Sequence, residues 1–418
     1  MVNYTLDWLS VDGKLLLTAR IVRTFGYGFL SVILSIYLKL IGVNDFLIGV
    51  IISTTLLNSI MFTAIASLYA ERFGKRRMLM IYAVLMSVSG LIFLFTTNYY
   101  LLFLAALIGT INVIGSDTSA FLTIEQAVLP QTTKEPKRRN TLFAFYNMFG
   151  TFAMSAGVLM IGFSKFLEVH YNISTAESLK PLFGVYTLIG IVIFFIYFHL
   201  SKRIENNEKY NQKSSTLFPV TKSLSPSSKK IVGNLSILFS IDSFAGGFIL
   251  QSIVALWFYS RFNADLTTLS YIFSIAGVLT AFSYYAAAKI ADRFGLINTM
   301  VFSHIPANIL IIFVAVAPSL PIAIILYLCR MALSQMDVPT RQSYIVSVVK
   351  KNERTAAVGI TNISRNITQS LSPSIAGFIL QSLSFLSAPF IIGGILKIVY
   401  DVALYFNFRD IKPEDENE

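Results

Sequence analysis

Long apolar runs alternate with short polar gaps along almost the whole chain. Each run is long enough to cross the hydrocarbon layer of a bilayer, roughly 30 Å thick, as a helix. The pattern therefore predicts an all-α membrane protein with twelve transmembrane helices. The predicted spans are residues 14–41, 46–69, 77–97, 99–128, 141–164, 181–201, 231–259, 267–289, 297–317, 320–347, 356–381 and 385–408.

The two halves of the sequence repeat each other. The segment Ala70–Gly74, with the sequence AERFG, returns 221 positions later as Ala291–Gly295, with the sequence ADRFG, and each copy lies in a polar gap. Asp117 and Asp337 are a second matched pair, 220 positions apart in equivalent spans. A repeat of this length indicates an internal duplication. We therefore expect two pseudo-symmetric six-helix bundles.

One long polar segment divides the repeats. Residues 202–230 are rich in Ser, Asn and Lys, a composition typical of a linker. We expect an N-terminal bundle over 1–201, a cytoplasmic linker over 202–230, a C-terminal bundle over 231–408 and a cytoplasmic tail over 409–418. Residues 1–13 carry polar and acidic groups, so no cleavable signal peptide is expected.

Composition and charge set the class and the orientation. Hydrophobic residues are 55% of the chain and charged residues 13%, which argues against a soluble domain of this length. Basic residues concentrate at both termini and after even-numbered spans, so both termini are predicted to be cytoplasmic. We expect a multi-pass protein of the plasma membrane. The net charge of +11 reflects this topology and attraction to anionic lipid, so no nucleic-acid partner is expected.

Charged residues also lie within the predicted spans. Each would cost about 2.5 to 3.5 kcal/mol at a lipid-facing helix centre, so these side chains must face one another or water. Such residues mark a solute or proton path by default, although some serve only as structural ion pairs. The set is Arg20, Arg23, Arg330, Arg341, Arg365, Lys397, Asp117, Glu125, Asp242, Asp337 and Asp401.

Helical spacing and depth predict particular contacts. We expect Arg23 to contact Asp117 and Asp337 to contact Arg365, since each pair lies at a similar depth. Arg341 lies four residues after Asp337 and competes for it. Lys397 and Asp401 are also four residues apart and are predicted to pair with each other. No ligand role is assigned to His170, His199 or His304.

The polar gap after the second span carries a recognisable motif. The run Ser67–Arg77, SLYAERFGKRR, resembles the loop signature of the major facilitator superfamily, Gly-x-Leu-Ala-Asp-Arg-x-Gly-Arg-Lys. A degenerate copy follows span eight. The sequence departs from the signature at Ser67, where Gly is usual, and at Glu71, where Asp is usual. The resemblance implies a transporter with that superfamily's fold, in which two bundles alternate access to a central cavity.

In the resembled family this loop forms a charge cluster that closes the cytoplasmic side. The resemblance therefore implies a cytoplasmic gate in both repeats. A basic anchor that only fixes orientation is the alternative. The gate residues are Glu71, Arg72, Gly74, Lys75 and Arg76, with Asp292, Arg293 and Gly295 in the second copy.

Energy coupling and substrate contacts follow from the same residues. No nucleotide-binding loop is present, which favours secondary transport. Asp117, Asp242 and Asp337 are the candidate proton carriers, although each could instead be a permanently ionised partner of Arg. Arg20, Arg23, Arg330, Arg341 and Arg365 are the predicted cavity charges. The candidate substrate contacts are Tyr27, Asn58, Asn147, Asn362 and Gln369.

Two short elements bear on the direction of transport. Ser372–Gly377 and Asp337–Gln342 resemble elements of efflux-type members, although helix kinking and small-residue packing explain them equally well. We predict proton-coupled export of a drug-like or organic metabolite by a monomer that needs no cofactor or metal. An uptake symporter or uniporter for a sugar or organic acid is the alternative, and a non-transporting sensor is another. Common hydrolase motifs are absent, which disfavours an enzyme.

Overall fold

The computed structural model describes residues 8–133, 139–205, 224–350, 353–382 and 386–411. Its named elements are helices, two of them short 3₁₀ turns. The α-helices are α1 Val11–Leu40, α2 Asp45–Phe73, α3 Lys75–Phe95, α4 Tyr99–Ile108, α5 Ala120–Val128, α6 Arg139–Leu159, α7 Ile161–Tyr171, α8 Thr175–Phe198, α9 Pro226–Gly247, α10 Gln251–Phe262, α11 Leu266–Phe294, α12 Leu296–Ala315, α13 Leu320–Leu333, α14 Asp337–Ser347, α15 Arg354–Ser382 and α16 Ala388–Phe408.

Ten helical segments among the described residues are long and apolar enough to cross a membrane. Two predicted spans fall outside this set. Span 99–128 is interrupted, which leaves α4 with only 10 residues. Span 356–381 corresponds to α15, a less apolar helix because it carries a polar stripe with Asn362, Arg365 and Gln369. The structure therefore supports a polytopic helical protein, and the count of twelve spans stays a prediction.

The chain divides into two compact units. Unit 1 comprises Met1–Gly42 and Thr54–Thr216, and unit 2 comprises Val43–Ser53 and Leu217–Glu418. The first turns of α2 thus belong to unit 2. There the Ser374 hydroxyl donates to the Ser53 hydroxyl at 2.8 Å. Most of the predicted linker, residues 206–223, lies outside the described residues, but Lys202–Glu205 forms a 3₁₀ turn and α9 begins at Pro226.

Small residues allow equivalent helices to pack closely in each unit. In unit 1, α1 packs against α6, where a Cβ at Gly28 or Gly157 would collide with the opposing backbone. In unit 2, α9 packs against α15, where a Cβ at Gly247 would collide with Ser372. Close backbone approach of this kind is a common way for membrane helices to associate. The repeat seen in the sequence thus extends to helix packing.

The two spans that carry Asp117 and Asp337 are both interrupted. Between α4 and α5, residues 109–119 are not helical, and Gly115 has a φ of 84°. Asn112 holds this segment, because its Oδ1 accepts from the Ile114 N–H at 3.0 Å and its Nδ2 donates to the Ser116 carbonyl at 2.5 Å. Side chains that bond to nearby backbone compete with the helix. The prediction of one continuous helix over 99–128 is therefore wrong.

The interruption in unit 2 is shorter. Helix α13 ends at Leu333 and α14 begins at Asp337. Pro339 has no backbone N–H to continue the ladder of the preceding helix, so a boundary just before it is expected. The predicted span over 320–347 is present as the candidate span Leu320–Ile345, but its helix is interrupted, and Asp337 occupies the first position of α14.

Candidate functional site

Four charged side chains meet inside unit 1. We call Arg20, Arg23, Asp117 and Glu125 the N-terminal charge cluster. Arg23 donates through Nη1 and Nη2 to the two Glu125 oxygens at 2.8 and 2.6 Å, and through Nη2 to Asp117 at 3.0 Å. Arg20 forms an ion pair with the same Asp117 oxygen. The four residues are at most 9% exposed, and two positive charges face two negative charges.

Aromatic side chains enclose the N-terminal charge cluster. The Tyr197 hydroxyl donates to Glu125 at 2.6 Å, and the Tyr146 hydroxyl donates to its other oxygen. The Arg23 guanidinium lies 4.6 Å from the centre of the Phe121 ring. Glu125 therefore accepts hydrogen bonds on both oxygens within an aromatic wall, and every charged group of the cluster has a partner of opposite charge, although the Nε atoms of Arg20 and Arg23 make no hydrogen bond.

The predicted contact between Arg23 and Asp117 is present. Glu125, by contrast, was recognised in the sequence as a charge within a span but received no partner and no site role. Asp117, Phe121 and Glu125 follow one another at intervals of four, a spacing that would have placed all three on one helical stripe. That spacing was the available signal.

Unit 2 holds a second group of ion pairs. We call Asp242, Asp337, Arg341 and Lys397 the C-terminal charge cluster. Asp242 forms ion pairs with Lys397 through one oxygen and with Arg341 through the other, at 3.3 Å in the latter case. Arg341 also pairs with Asp337 at 2.6 Å. All four residues are at most 7% exposed. Two of them, Asp242 and Arg341, are thus shared between partners.

The predicted contact between Asp337 and Arg365 is absent. Asp337 pairs instead with Arg341, one turn along the same helix, because the spacing of four residues needs no second helix to bring the charges together. Arg365 donates through Nε to the Ser243 hydroxyl at 2.9 Å. The competing arrangement noted from the sequence is the one observed.

The predicted pair of Lys397 and Asp401 is also wrong. Lys397 contacts Asp242 on α9, while Asp401 accepts from His304 at 2.8 Å and from Asn308 at 2.9 Å. His304 is 3% exposed. The apolar pattern of α12 and α16 did not reveal which buried polar groups face each other. Lys397 and Asp401 are both buried, and pairing across helices gives each of them a partner, as buried charges require.

Arg330 is buried and has no acidic partner among the residues that the structure describes. It is 7% exposed, and its Nη1 contacts the Met331 sulfur at 3.2 Å. Its Nε makes no hydrogen bond. Among the described residues, no carboxylate lies within the 4.0 Å that defines an ion pair, although Asp337 is within electrostatic reach.

The predicted substrate contacts have different surroundings. Asn58 is buried and donates through Nδ2 to the Ala106 carbonyl at 3.2 Å, so it holds the end of α4. Tyr27 is fully buried, and its hydroxyl lacks a well-formed hydrogen bond. Asn147 and Asn362 are exposed, and Gln369 lies near the Lys397 ammonium across Gly246. Their roles in binding stay predictions.

A small cavity adjoins the interrupted segment of unit 1. It has a volume of about 20 Å³, which is enough for a water molecule. Asn58, Thr110 and Ser119 line it, and each has a buried side-chain oxygen without a hydrogen bond. These oxygens suit a bound water. The cavity is too small for an organic solute.

The predicted gate residues are described only in part. The side chains of Glu71 and Asp292 lie outside the described residues, and Arg72 and Arg293 are exposed. Gly74 and Gly295 have φ values of 92° and 82°, a region that favours glycine. The backbone N–H groups of Lys75 and Arg76 donate to Glu205 at 2.7 and 3.1 Å. Gating stays a prediction for this loop.

Apolar spans, a duplicated sequence and ion pairs buried within the spans define a membrane transporter. The sequence matches the Major Facilitator Superfamily over residues 16–336 and again over 235–418. The chain therefore belongs to the major facilitator superfamily. Membership also indicates a non-enzymatic protein, as expected from the sequence.

The chain is similar to several known proteins. It is 26% identical over 427 residues to the uncharacterized membrane protein YJR124C of Saccharomyces cerevisiae, covering 96% of this chain and 95% of the relative. The nucleoside transporter NupG matches with a TM-score of 0.73 at 15% identity, covering 96% of this chain and 99% of NupG. A D-xylose-proton symporter matches with a TM-score of 0.73 at 14% identity, covering 97% and 99%. At these identities the likeness to solved structures shows a shared fold.

Proposed function

We propose that the protein is a proton-coupled secondary transporter that moves a small organic solute by alternating access. The observation that carries this proposal is the sharing of partners in the C-terminal charge cluster. Asp242 is held by both Lys397 and Arg341, and Arg341 is held by both Asp242 and Asp337. Two carboxylates therefore compete for one guanidinium inside the membrane.

Shared partners allow a proton to change the arrangement. A proton on Asp337 would release Arg341 toward Asp242, whose hold on Lys397 would then weaken. Leaving one partner of a buried ion pair uncompensated costs about 3 to 5 kcal/mol, enough to shift a balance between two conformers. Arg365 and His304 also act on Asp242 electrostatically, so the network extends to α12 and α15.

Two further observations support the proposal. The sequence contains no nucleotide-binding loop, so transport driven by a gradient is favoured. One protein of similar fold is named as a proton symporter, which shows that this fold is compatible with proton coupling.

Export is the direction that the sequence resemblance favours, and we retain it as part of the proposal. Ser372–Gly377 packs against α2 within unit 2, where Gly377 approaches the Asp45 carbonyl and Gly49 approaches the Pro373 carbonyl. Packing thus accounts for the proline and glycine without reference to direction. The alternative is uptake, and the sign of the proton flux distinguishes the two.

The decisive experiment uses purified protein in sealed liposomes that contain a trapped pH dye. Pools of organic acids, lipophilic cations, sugars and amino acids are added to wild-type protein and to Asp337→Asn. We expect a solute-dependent proton flux that falls about tenfold or more in Asp337→Asn, while exchange of labelled solute persists. Asp410→Asn is the matched control, because Asp410 is 86% exposed beyond α16.

Other outcomes would contradict the proposal. If Asp337→Asn shows the same proton flux as wild type, the C-terminal charge cluster does not couple proton movement to solute movement. Solute uptake that is insensitive to an uncoupler would indicate a uniporter or another coupling ion. No uptake of any pool by protein that inserts normally would favour the sensor alternative.

The orientation is part of the proposal. Basic residues after even-numbered spans predict that both termini face the cytoplasm of a plasma-membrane protein. A C-terminal epitope should be accessible to antibody only after the cell membrane is permeabilised, and labelling of intact cells would reverse this topology.

A further inference from the structure

We propose that the transported solute is an organic anion, that Arg365 of unit 2 binds its negative charge and that the buried charge of Arg330 adds to the electrostatic attraction. This inference rests on the proposed transport function and specifies its substrate class. The relevant chemistry is a carboxylate or phosphate group on a small solute.

The balance of buried charge differs between the two units. In unit 1, Arg20 and Arg23 face Asp117 and Glu125, so the N-terminal charge cluster is balanced. In unit 2, the basic side chains within the spans outnumber the carboxylates. They are Arg330, Arg341, Arg365 and Lys397, against Asp242, Asp337 and Asp401. His304 adds to the surplus whenever it is protonated.

Arg330 and Arg365 carry the surplus. Neither forms an ion pair with a carboxylate in the part of the chain that the structure describes. Arg341 and Lys397, by contrast, each pair with Asp242. Asp401 is already satisfied by His304 and Asn308, so it is not available to a further arginine.

Arg365 offers donors for a ligand. Its Nε donates to Ser243, and its two Nη groups make no hydrogen bond to any described residue. Arg365 is only partly buried, and Asn362 and Gln369 lie one turn before and after it on α15. A guanidinium with two free donors matches a carboxylate or phosphate in bidentate geometry. Flanking amides would add contacts to the rest of the solute.

Arg330 adds a long-range charge with the same sign. It is nine-tenths buried, and its Nε has no partner. A buried cation without a counter-charge is costly in a low-dielectric region. A bound anion would supply the missing charge, whereas a neutral sugar would not and a lipophilic cation would increase the surplus. The charge balance of unit 2 therefore favours an organic anion over a neutral or a cationic solute.

Binding can be tested with probes of equal shape and different charge. Benzoate, benzamide and benzamidinium are nearly isosteric, and inorganic phosphate serves as a general anion. Thermal unfolding of the purified full-length protein is followed with each probe. We expect benzoate or phosphate to raise the unfolding temperature and the neutral and cationic probes to leave it unchanged. Stabilisation by no anion, or equal stabilisation by all three benzene derivatives, would overturn the proposal.

Variants locate the anion. We expect Arg365→Gln to weaken anion binding about 30-fold or more, the loss that follows removal of one buried charged partner. Arg365→Lys should recover only part of the affinity, because lysine lacks the planar fork. Arg261→Gln is the matched control, since Arg261 lies in unit 2 at the end of α10 and donates to the Ala317 carbonyl. Equal anion binding in all variants would overturn the assignment.

A second measurement separates a binding role from a structural one. Arg330→Gln removes an unpaired cation, so the empty protein should be as stable as wild type or more stable. Arg341→Gln removes a cation that holds two carboxylates, so it should unfold at lower temperature. If Arg330→Gln is as destabilising as Arg341→Gln, the Arg330 charge is compensated within the protein and the proposal fails.

Transport assays distinguish failure of this inference from failure of the proposed function. Anion uptake without proton flux would contradict proton coupling and leave the substrate class standing. Proton flux driven by neutral solutes alone would contradict the substrate class and leave proton-coupled transport standing.

Discussion

The charge clusters of the two units share a sequence origin but differ in how completely their groups are paired. Asp117 and Asp337 are equivalent in the repeat, yet Asp117 contacts two arginines in a balanced cluster, and Asp337 shares Arg341 with Asp242. Duplication therefore preserved the position of the carboxylate and changed its partners. A balanced cluster favours rigidity, while a shared one can change its arrangement.

The side chains around the two clusters also differ in how completely they pair the charged groups. Tyr146 and Tyr197 complete the hydrogen bonding of Glu125, and the Phe121 ring covers Arg23. In unit 2, Arg330 and the Nη groups of Arg365 have no such partners among the described residues. We infer that the N-terminal charge cluster mainly stabilises unit 1, while the C-terminal charge cluster and its neighbouring arginines act on solute and protons.

The largest expected effect is on the stability of unit 1. Glu125→Ala should lower the free energy of unfolding by about 3 to 5 kcal/mol, because it leaves Arg23 without its bidentate partner in a buried site. Chemical unfolding of purified protein in detergent measures the loss. Glu168→Ala is the control, since its pair with Lys165 is partly exposed and should contribute no more than about 1 kcal/mol.

The same prediction can contradict the proposed contrast. If Glu125→Ala folds as stably as wild type but abolishes transport, the N-terminal charge cluster belongs to the transport machinery. The assignment of a structural role to unit 1 would then be wrong.

A smaller effect is expected from conservative exchange of the shared arginine. Arg341 reaches both Asp242 and Asp337 through its Nη1 atom. Arg341→Lys keeps the positive charge, but the lysine side chain is shorter, so its ammonium should hold only one of the two carboxylates. Loss of one charged hydrogen bond should cost about 1.5 to 3 kcal/mol of stability. The proton flux per solute should fall more than the solute flux, which the liposome assay measures directly.

The control for this exchange is a lysine at a cation that does not bridge. Arg261→Lys should leave the ratio of proton flux to solute flux unchanged. A fall of both fluxes in proportion in Arg341→Lys would indicate a general defect instead of a coupling role.

The sequence was sufficient for the parts of the structure that depend on local pattern. Apolar run length identified most helices, and the similar membrane depth estimated for two charges placed Arg23 beside Asp117, although Asp117 lies just before α5 and not in a helix. The pairs Glu125 with Tyr197 and Lys397 with Asp242 could not be predicted, because helical periodicity defines the face of a residue but not the helix opposite that face. The interruption at residues 109–119 was missed for another reason. Apolar Ile111, Val113 and Ile114 maintain the hydropathy signal while Asn112 bonds to the local backbone.

The helix interruption is longer in unit 1 than in unit 2, and the next prediction tests whether the fold requires it. Gly115 has a φ of 84°, so Gly115→Ala should cost about 1 to 2 kcal/mol of stability. Gly233→Ala is the matched control, since Gly233 lies in helix α9 with open space around it, and alanine there should stabilise by up to about 1 kcal/mol. If both variants have the stability of wild type, the non-helical conformation of residues 109–119 is not required for the fold.

The smallest expected effect compares the carboxylates that hold helix starts in the two units. Glu205 accepts from the first N–H groups of α3, and Glu353 accepts from the Ser225 N–H before α9 at 2.7 Å. Hydrogen bonds from the Ser228 hydroxyl and from Ser225 hold the pKa of Glu353 below its ordinary value of 4.5. A lowered pKa contributes stability at pH values above 4.5, and this stability is lost as the pH falls toward the folded-state pKa.

Glu353→Gln should therefore unfold at slightly lower temperature than wild type at neutral pH, and the two curves should converge in acid. Glu168→Gln is the control for effects of acid on the whole protein, because Glu168 makes only a partly exposed pair. The unfolding temperatures of wild type and Glu353→Gln could instead differ by the same amount across the acid range. That result would mean that the shape of the Glu353 side chain matters and its charge does not. The start of unit 2 would then be held by hydrogen bonding alone, as an amide can provide it.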